Sequence, residues 1–109
     1  MENIEFENFD NIENDDSGRM YEMGKNYYDS GSDILAEKYL KEAAKGGNRK
    51  AFLLLADIYL KYDKLNLAEK YLKKIADGGD FELQDKLGTV YKRKSNFEMA
   101  EYYYKLSIN

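Results

Sequence analysis

The stretch Ala68–Ala76, which reads AEKYLKKIA, decides the fold of this chain. It occurs almost unchanged 32 residues earlier, as AEKYLKEAA over Ala36–Ala44, and in weaker form 32 residues later, as AEYYYKLSI over Ala100–Ile108. A fixed period in this range is typical of proteins built from stacked repeats. The sequence therefore predicts three equivalent units.

The apolar residues around each copy have helical spacing. In the first unit, Met20, Met23, Gly24, Tyr27 and Tyr28 recur three or four residues apart, which predicts a helix over about residues 18–29. The same spacing predicts further helices over about residues 33–45, 49–62, 65–77, 83–94 and 97–108. We therefore expect an all-α fold, an α-solenoid of three helix-turn-helix repeats with six antiparallel helices. The expected repeats cover about residues 17–48, 49–80 and 81–109, within one domain over 18–109.

Turn and capping residues separate these helices. Ser32 or Asp33 is expected to cap the second helix by accepting hydrogen bonds from its free amides. The pairs Gly46-Gly47 and Gly78-Gly79 are expected to end helices where a left-handed residue is needed.

Alignment of the three units at the 32-residue period separates constant positions from variable ones. Small residues recur at two positions, which allows the two helices of a hairpin to approach closely. Two tyrosine positions recur as well, and their rings are expected to be buried with the hydroxyls near water or a partner. Each unit also carries a Glu-to-Lys pair four residues apart, worth about 0.2–0.5 kcal/mol on an exposed helix face. The small positions are Gly24, Ala56 and Gly88, then Ala36, Ala68 and Ala100; the tyrosines are Tyr27, Tyr59 and Tyr91, then Tyr39, Tyr71 and Tyr103.

These constant positions resemble those of tetratricopeptide repeats, whose pattern includes Gly, Tyr, Ala, a bulky residue and Ala. The matching residues of the first unit are Gly24, Tyr27, Ala36, Leu40 and Ala43. The junction Ala43–Asn48 looks more like those of Sel1-like repeats, a related family. The resemblance covers residues 17–109, with a period shorter than the usual ~34 and with Gly-Gly in place of the helix-ending proline.

The resemblance implies a binding groove. In the resembled families, the first helix of each hairpin lines a concave groove that holds a peptide or helix of another protein. The corresponding residues differ in every unit, which fits a surface adapted to one ligand and fits neutral drift equally well. They are Tyr21, Lys25, Tyr28, Leu53, Asp57, Leu60, Asp85, Thr89 and Lys92. Lys25 and Asp57 are expected to form an ion pair with each other.

The last helix suggests a second contact surface. Terminal repeats need a polar outer face, yet apolar and aromatic residues surround most of this helix. We expect this end to pair with a second copy, as a homodimer, or with a partner. The residues concerned are Phe97, Tyr102, Tyr103, Tyr104 and Leu106.

Composition argues against several functions. The 109 residues include no Cys and no His, which removes the commonest nucleophile, general base and metal ligands, so we expect no enzyme, no catalytic residue, no metal site and no cofactor. No apolar run approaches a membrane span and no secretory signal is evident, so a cytoplasmic protein without membrane contact is expected. The net charge of -4 offers little attraction for phosphates, which argues against nucleic-acid binding.

The charge is unevenly distributed. Residues 1–18 carry seven acidic residues and no basic one, so an arm of charge -7 precedes a body of charge +3. We expect residues 1–17 to be a partly disordered or docked arm. The leading functional hypothesis is an adaptor or interaction module that binds a peptide or helix of a partner protein in the groove. The alternative is a stand-alone inhibitor or immunity-type protein that neutralises a basic enzyme or toxin through its acidic arm and tyrosine-rich surface.

Overall fold

The computed structural model describes residues 13–75 and 80–108, and within these ranges the chain has six α-helices and no strand. The helices are α1 Glu13–Asp29, α2 Asp33–Lys45, α3 Arg49–Lys61, α4 Leu65–Lys73, α5 Phe81–Arg93 and α6 Phe97–Ile108. The predicted all-α helical repeat fold is confirmed. Residues 1–12 of the acidic arm and the predicted stop at Gly78-Gly79 lie outside the described residues.

The 32-residue period is visible in the backbone itself. Three turns join α1 to α2, α3 to α4 and α5 to α6, and each contains one residue with a left-handed φ: Gly31 at 87°, Asp63 at 60° and Ser95 at 63°. The amide after that residue donates to the carbonyl of the conserved tyrosine five residues earlier. These hydrogen bonds are Ser32 to Tyr27 at 2.8 Å, Lys64 to Tyr59 at 2.7 Å and Asn96 to Tyr91 at 2.8 Å. The three hairpins therefore share one turn geometry.

The two tyrosine positions stack on each other inside every hairpin. The ring centroids are 5.5 Å apart for Tyr27 and Tyr39, 5.7 Å for Tyr59 and Tyr71, and 5.5 Å for Tyr91 and Tyr103. The interplanar angles are 14°, 28° and 2°. Stacked aromatic pairs of this kind contribute about 0.5–1.5 kcal/mol beyond the area they bury. The repeated tyrosines are thus the clamp that joins the two helices of each hairpin.

The chain forms two compact units, Met1–Ala51 and Phe52–Asn109. In the first unit, α1 packs along α2. A Cβ on Gly24 would lie 2.7 Å from Leu40 Cγ, so glycine is needed for this close approach. Ala36 and Leu40 are fully buried in the same interface.

In the second unit, α5 packs along α6 and also contacts α4. Ala68 is fully buried and Ala100 nearly so, as expected for the repeated small positions. The ring of Tyr71 approaches those of Phe52 and Tyr59, with centroid distances of 6.0 and 5.7 Å. These ring contacts hold α4 against α3.

Several helix ends differ from those predicted. Helix α1 begins at Glu13, about one turn earlier than expected, with Asp16 paired to Arg19 at 3.2 Å and Ser17 buried. Helix α4 ends at Lys73, a turn earlier than expected. Helix α5 begins at Phe81 because Asp80 caps it, accepting from the Glu82 amide at 2.9 Å.

The predicted caps are partly correct. Ser32 occupies the N-cap position of α2, but its side chain makes no capping hydrogen bond, and Asp33 is already inside the helix. At the end of α2, Gly47 takes the left-handed conformation, with φ of 87°. The amides of Gly47 and Asn48 donate to the carbonyls of Ala44 and Ala43, which is the Schellman arrangement.

Candidate functional site

The α5–α6 hairpin carries an open cleft of about 560 Å³ along its outer face. Its lining combines apolar, aromatic and charged side chains from both helices. The lining residues are Asp85, Lys92, Phe97, Ala100, Glu101, Tyr104, Lys105, Ser107 and Ile108. We call this the C-terminal cleft.

Tyr104 packs on the backbone of α5 at the base of the C-terminal cleft. Its ring covers Gly88, where a Cβ would lie 2.6 Å from Tyr104 Cδ1. Its hydroxyl is 3.2 Å from the Thr89 hydroxyl. The preceding units have Leu40 and Leu72 at this position, and both leucines are fully buried. The tyrosine therefore brings a polar group into a position that is purely apolar elsewhere in the chain.

Exposed apolar side chains flank the cleft. Phe97 is 66% exposed and Ile108 is 82% exposed, and both line it. Large apolar residues on a surface are common singly, but two beside one concave surface mark an interaction site. Of the predicted self-association residues, Phe97 and Tyr104 line the cleft.

The other three predicted self-association residues have different surroundings. Tyr103 is half-buried in its stack on Tyr91. Tyr102 is exposed and meets the ring of Tyr103 edge-on, with centroids 5.1 Å apart. Leu106 is exposed on α6 and is not part of the cleft lining.

The predicted groove residues divide between the two units. In the first unit, Tyr21 and Tyr28 are half-buried on α1 and Lys25 is exposed between them. In the second unit, Leu53 is buried and Leu60 is half-buried on α3.

The remaining groove residues of the second unit connect with the C-terminal cleft. Asp85 and Lys92 line it. Thr89 lies between them on α5 and shares a hydrogen bond with Tyr104. The structure therefore brings part of the predicted groove and part of the predicted self-association end together in one cleft.

The predicted ion pair between Lys25 and Asp57 is not the pairing that the structure shows. Lys25 is 3.1 Å from Asp29, one helical turn away, and the hydrogen bond and charge of Asp29 raise the pKa of Lys25. Asp57 is 2.6 Å from Lys86 of α5. Each residue has a partner within its own unit, because a local turn and a neighbouring helix supply the opposite charge first.

A carboxylate on α4 holds α5 in place. Glu69 accepts hydrogen bonds from the Tyr91 hydroxyl at 2.6 Å, from Lys94 at 2.6 Å and from Lys73 at 3.1 Å. Lys94 also donates to Asn66 Oδ1 at 2.8 Å. Together these four partners and Glu69 form what we call the Glu69 network.

The Glu69 network changes the pKa values of its members. Burial raises the pKa of Glu69, but the hydrogen bonds from Lys94, Tyr91 and Lys73 outweigh it and lower the pKa to about 2. Burial and the bond to Glu69 raise the pKa of Tyr91. The bonds to Tyr91 and Glu69 also raise the pKa of Lys73. The network is therefore an anion held by donors at neutral pH.

Helix α5 makes two more contacts with the helix α3 that precedes it. Lys86 pairs with Asp57, as described above, and Arg93 donates to the Leu60 carbonyl at 2.7 Å. The second contact satisfies a carbonyl near the end of α3, where a positive charge also complements the helix dipole. Helix α5 therefore covers the α3–α4 hairpin with a tyrosine and three basic side chains.

The C-terminal cleft lies on the repeat-equivalent of that covered surface. At the 32-residue period, Glu101 corresponds to Glu69, Phe97 to Leu65 and Tyr104 to Leu72. Glu69 is 20% exposed, whereas Glu101 is 69% exposed and pairs with Lys105 at 3.7 Å. The same face that α5 occupies on one hairpin is thus open on the next.

Comparison with protein-family models and with curated proteins finds no match.

Two further searches of the described parts of the chain give no site. Across residues 13–75 and 80–108, no cluster of acidic, His or Cys side chains has the makings of a metal site. No described helix combines the length and the apolar composition that crossing a membrane requires.

Sequence reasoning missed the Glu69 network and Ile108 as part of the cleft. The Glu-to-Lys pairs were recognised only as local struts, and they are present at 3.3 Å for Glu37 and Lys41, 3.1 Å for Glu69 and Lys73, and 3.7 Å for Glu101 and Lys105. The signal that could have revealed the network is the coincidence of a constant Glu on each second helix with a constant Tyr on each first helix.

Proposed function

We propose that this chain is a protein-binding helical repeat module that holds a helix of another polypeptide in its C-terminal cleft. The observation that carries the proposal is the equivalence of two surfaces within the second unit. The α3–α4 hairpin has its outer face covered by α5, and the α5–α6 hairpin presents the corresponding face uncovered among the described residues.

Helical geometry supports a helix as the occupant. Hairpins of repeat proteins cannot bury their apolar faces alone and are stabilised by the next helix along. Phe97 and Ile108 leave apolar area beside the cleft, and burying one such side chain contributes about 1.5–3 kcal/mol when complete. An amphipathic helix laid in an apolar groove is a common mode of peptide recognition.

The other functional predictions remain proposals of lower standing. Membership of the tetratricopeptide or Sel1-like families, a cytoplasmic location and a groove along the first helices rest on the sequence resemblance. The inhibitor alternative depends mainly on the acidic arm, whose residues 1–12 the structure does not describe. No described contact favours it over the cleft.

The proposal is tested with a peptide of residues 80–95, the chain's own α5 with its capping Asp80, blocked at both ends and labelled with fluorescein. We expect saturable anisotropy on titration with the full chain, with a Kd on the order of 100 μM because an isolated helix of this length is only marginally stable. Ile108→Glu should weaken binding about tenfold by placing a charge where an apolar group is buried.

The matched control is Ile34→Glu. Ile34 is 86% exposed, close to the 82% of Ile108, and lies on α2 in the other unit. It should leave the affinity unchanged. If the peptide does not bind, or if both variants reduce binding equally, the cleft is not a helix-binding site.

A further inference from the structure

The way α5 is recognised within the chain specifies what the C-terminal cleft recognises in a partner. Helix α5 presents the sequence Tyr91-Lys92-Arg93-Lys94 at its end. Tyr91 and Lys94 bind the Glu69 carboxylate, and Arg93 binds the Leu60 carbonyl. The recognition elements are therefore a tyrosine hydroxyl and basic groups two and three residues later.

The acceptors for this pattern recur on the α5–α6 hairpin. Glu101 stands at the position of Glu69, and Glu98 stands at that of Asn66. The carbonyl of Lys92 corresponds to that of Leu60. Because an acidic residue replaces the amide of Asn66, the open surface offers one more negative charge to a basic residue of an incoming helix than the occupied one does.

Basic residues near the cleft do not cancel this preference. Lys105 corresponds to Lys73, which pairs with Glu69 while Tyr91 and Lys94 bind the same carboxylate. The pair of Lys105 and Glu101 is longer, at 3.7 Å, and both side chains are more than two-thirds exposed. Lys92 also lines the cleft and stands where the preceding hairpin has Leu60. Asp85 lies on the same helix and also faces the cleft.

We propose that the partner helix carries a tyrosine followed by basic residues at the second and third positions, and that these groups bind Glu101 and Glu98 as Tyr91 and Lys94 bind Glu69 and Asn66. The partner is then a basic amphipathic helix of a different polypeptide. This rests on the proposed function, which requires only that the cleft binds a helix.

A second copy of this chain fits the pattern poorly. Its first helix, α1, has Tyr27 at the tyrosine position but Asp29 and Ser30 at the two basic positions. Asp29 would be placed near Glu101, and like charges at an interface oppose association. The predicted homodimer is therefore an outcome that the experiment must separate from the partner helix.

The experiment compares two labelled peptides on the full chain. The first is the α5 peptide of residues 80–95, and the second is the same peptide with Tyr91→Phe, Arg93→Gln and Lys94→Gln. We expect the second to bind about tenfold more weakly at 50 mM salt, because charge-assisted hydrogen bonds to Glu101 are lost. The difference should shrink at 500 mM salt.

Charge reversal gives the sharper test. Glu101→Lys in the chain should weaken the first peptide about tenfold, and the peptide variant Lys94→Glu should recover most of that loss on the Glu101→Lys chain. A variant that only damages the fold would not be rescued by a change in the peptide. Circular dichroism of the Glu101→Lys chain checks that its helix content is intact.

The outcomes separate the two proposals. Equal binding of both peptides, still weakened by Ile108→Glu, overturns the basic-tyrosine preference and leaves the helix-binding cleft standing. Binding of neither peptide overturns both. A dimer seen by sedimentation at 100 μM and abolished by Ile108→Glu makes a second copy the occupant and overturns the partner proposed here.

Discussion

At the scale of single residues, the most informative position is the left-handed one in each hairpin turn. Gly31, Asp63 and Ser95 occupy it with nearly the same hydrogen bonds. Glycine adopts this conformation without steric cost, whereas other L-residues pay about 1–2 kcal/mol and Asp or Asn somewhat less. The chain therefore carries the same turn with three different amounts of backbone strain.

Replacement of Ser95 by glycine should stabilise the protein. We expect Ser95→Gly to raise the free energy of unfolding by about 0.5–1 kcal/mol, since the gain from relieved strain exceeds the added entropy of the unfolded chain. Urea denaturation followed by circular dichroism measures the change.

Two substitutions serve as controls for the Ser95 prediction. Ser95→Ala keeps a Cβ in the left-handed conformation and should give no gain. Gly31→Ser, at the equivalent turn, should destabilise by a similar amount. If the alanine variant is as stable as the glycine variant, the gain does not come from backbone strain.

At the scale of helices, the Glu69 network is the main polar connection between α4 and α5. One carboxylate accepts three donors, two of them at 2.6 Å, from side chains 22 and 25 residues away in sequence. A hydrogen-bonded ion of this kind is costly to break by removing one partner, because the others remain partly buried without it. The network therefore contributes to docking of α5 more than the exposed Glu-to-Lys pairs do.

The low pKa of Glu69 predicts a dependence of stability on pH. Its folded pKa of about 2 lies below the unfolded value, which is about 4.3. As pH falls, the unfolded chain therefore binds this proton first, so the stabilisation is present above about pH 5 and is lost as pH falls towards 2. Glu69→Gln should destabilise the protein at pH 6 and lose most of that deficit near pH 2.5.

The exposed counterpart of Glu69 provides the control. Glu101→Gln should change stability by less than about 0.5 kcal/mol at either pH, as is usual for surface ion pairs. Denaturant titrations of the three proteins at pH 6, 4 and 2.5 make the comparison. A constant difference between Glu69→Gln and wild type across this range would contradict the assigned pKa.

At the scale of the whole molecule, the unequal distribution of charge connects structure to function. The first 18 residues have a charge of -7, but part of that charge belongs to α1, which begins at Glu13. A truncation that tests the arm should therefore remove residues 2–12 and leave the helix complete.

Truncation of residues 2–12 distinguishes the cleft from the inhibitor hypothesis. If the cleft binds the α5 peptide, the affinity of the truncated chain at 150 mM salt should stay within about threefold of the full chain, since screening limits the reach of the arm to about 8 Å. Anisotropy with the labelled peptide measures this. A loss greater than tenfold that disappears at 500 mM salt would instead support binding through the acidic arm.

The sequence by itself determined the features that depend on local or periodic interactions. The helices, the 32-residue period, the small positions that bring Gly24 against Leu40 and the Glu-to-Lys pairs are all confirmed, because each depends on side chains within one or two helical turns or on a repeated pattern. The tyrosine positions were also recognised, although their stacking was not.

Only the tertiary structure decided which distant groups meet. Asp57 pairs with Lys86 and Glu69 binds Tyr91 and Lys94, across separations of 29, 22 and 25 residues. Such contacts depend on how far one helix is rotated and shifted against another, and a rotation of a few tens of degrees would select different partners from the same charged faces. The open state of Glu101, on which the proposed specificity depends, is decided in the same way by the helices that pack around it in this structure.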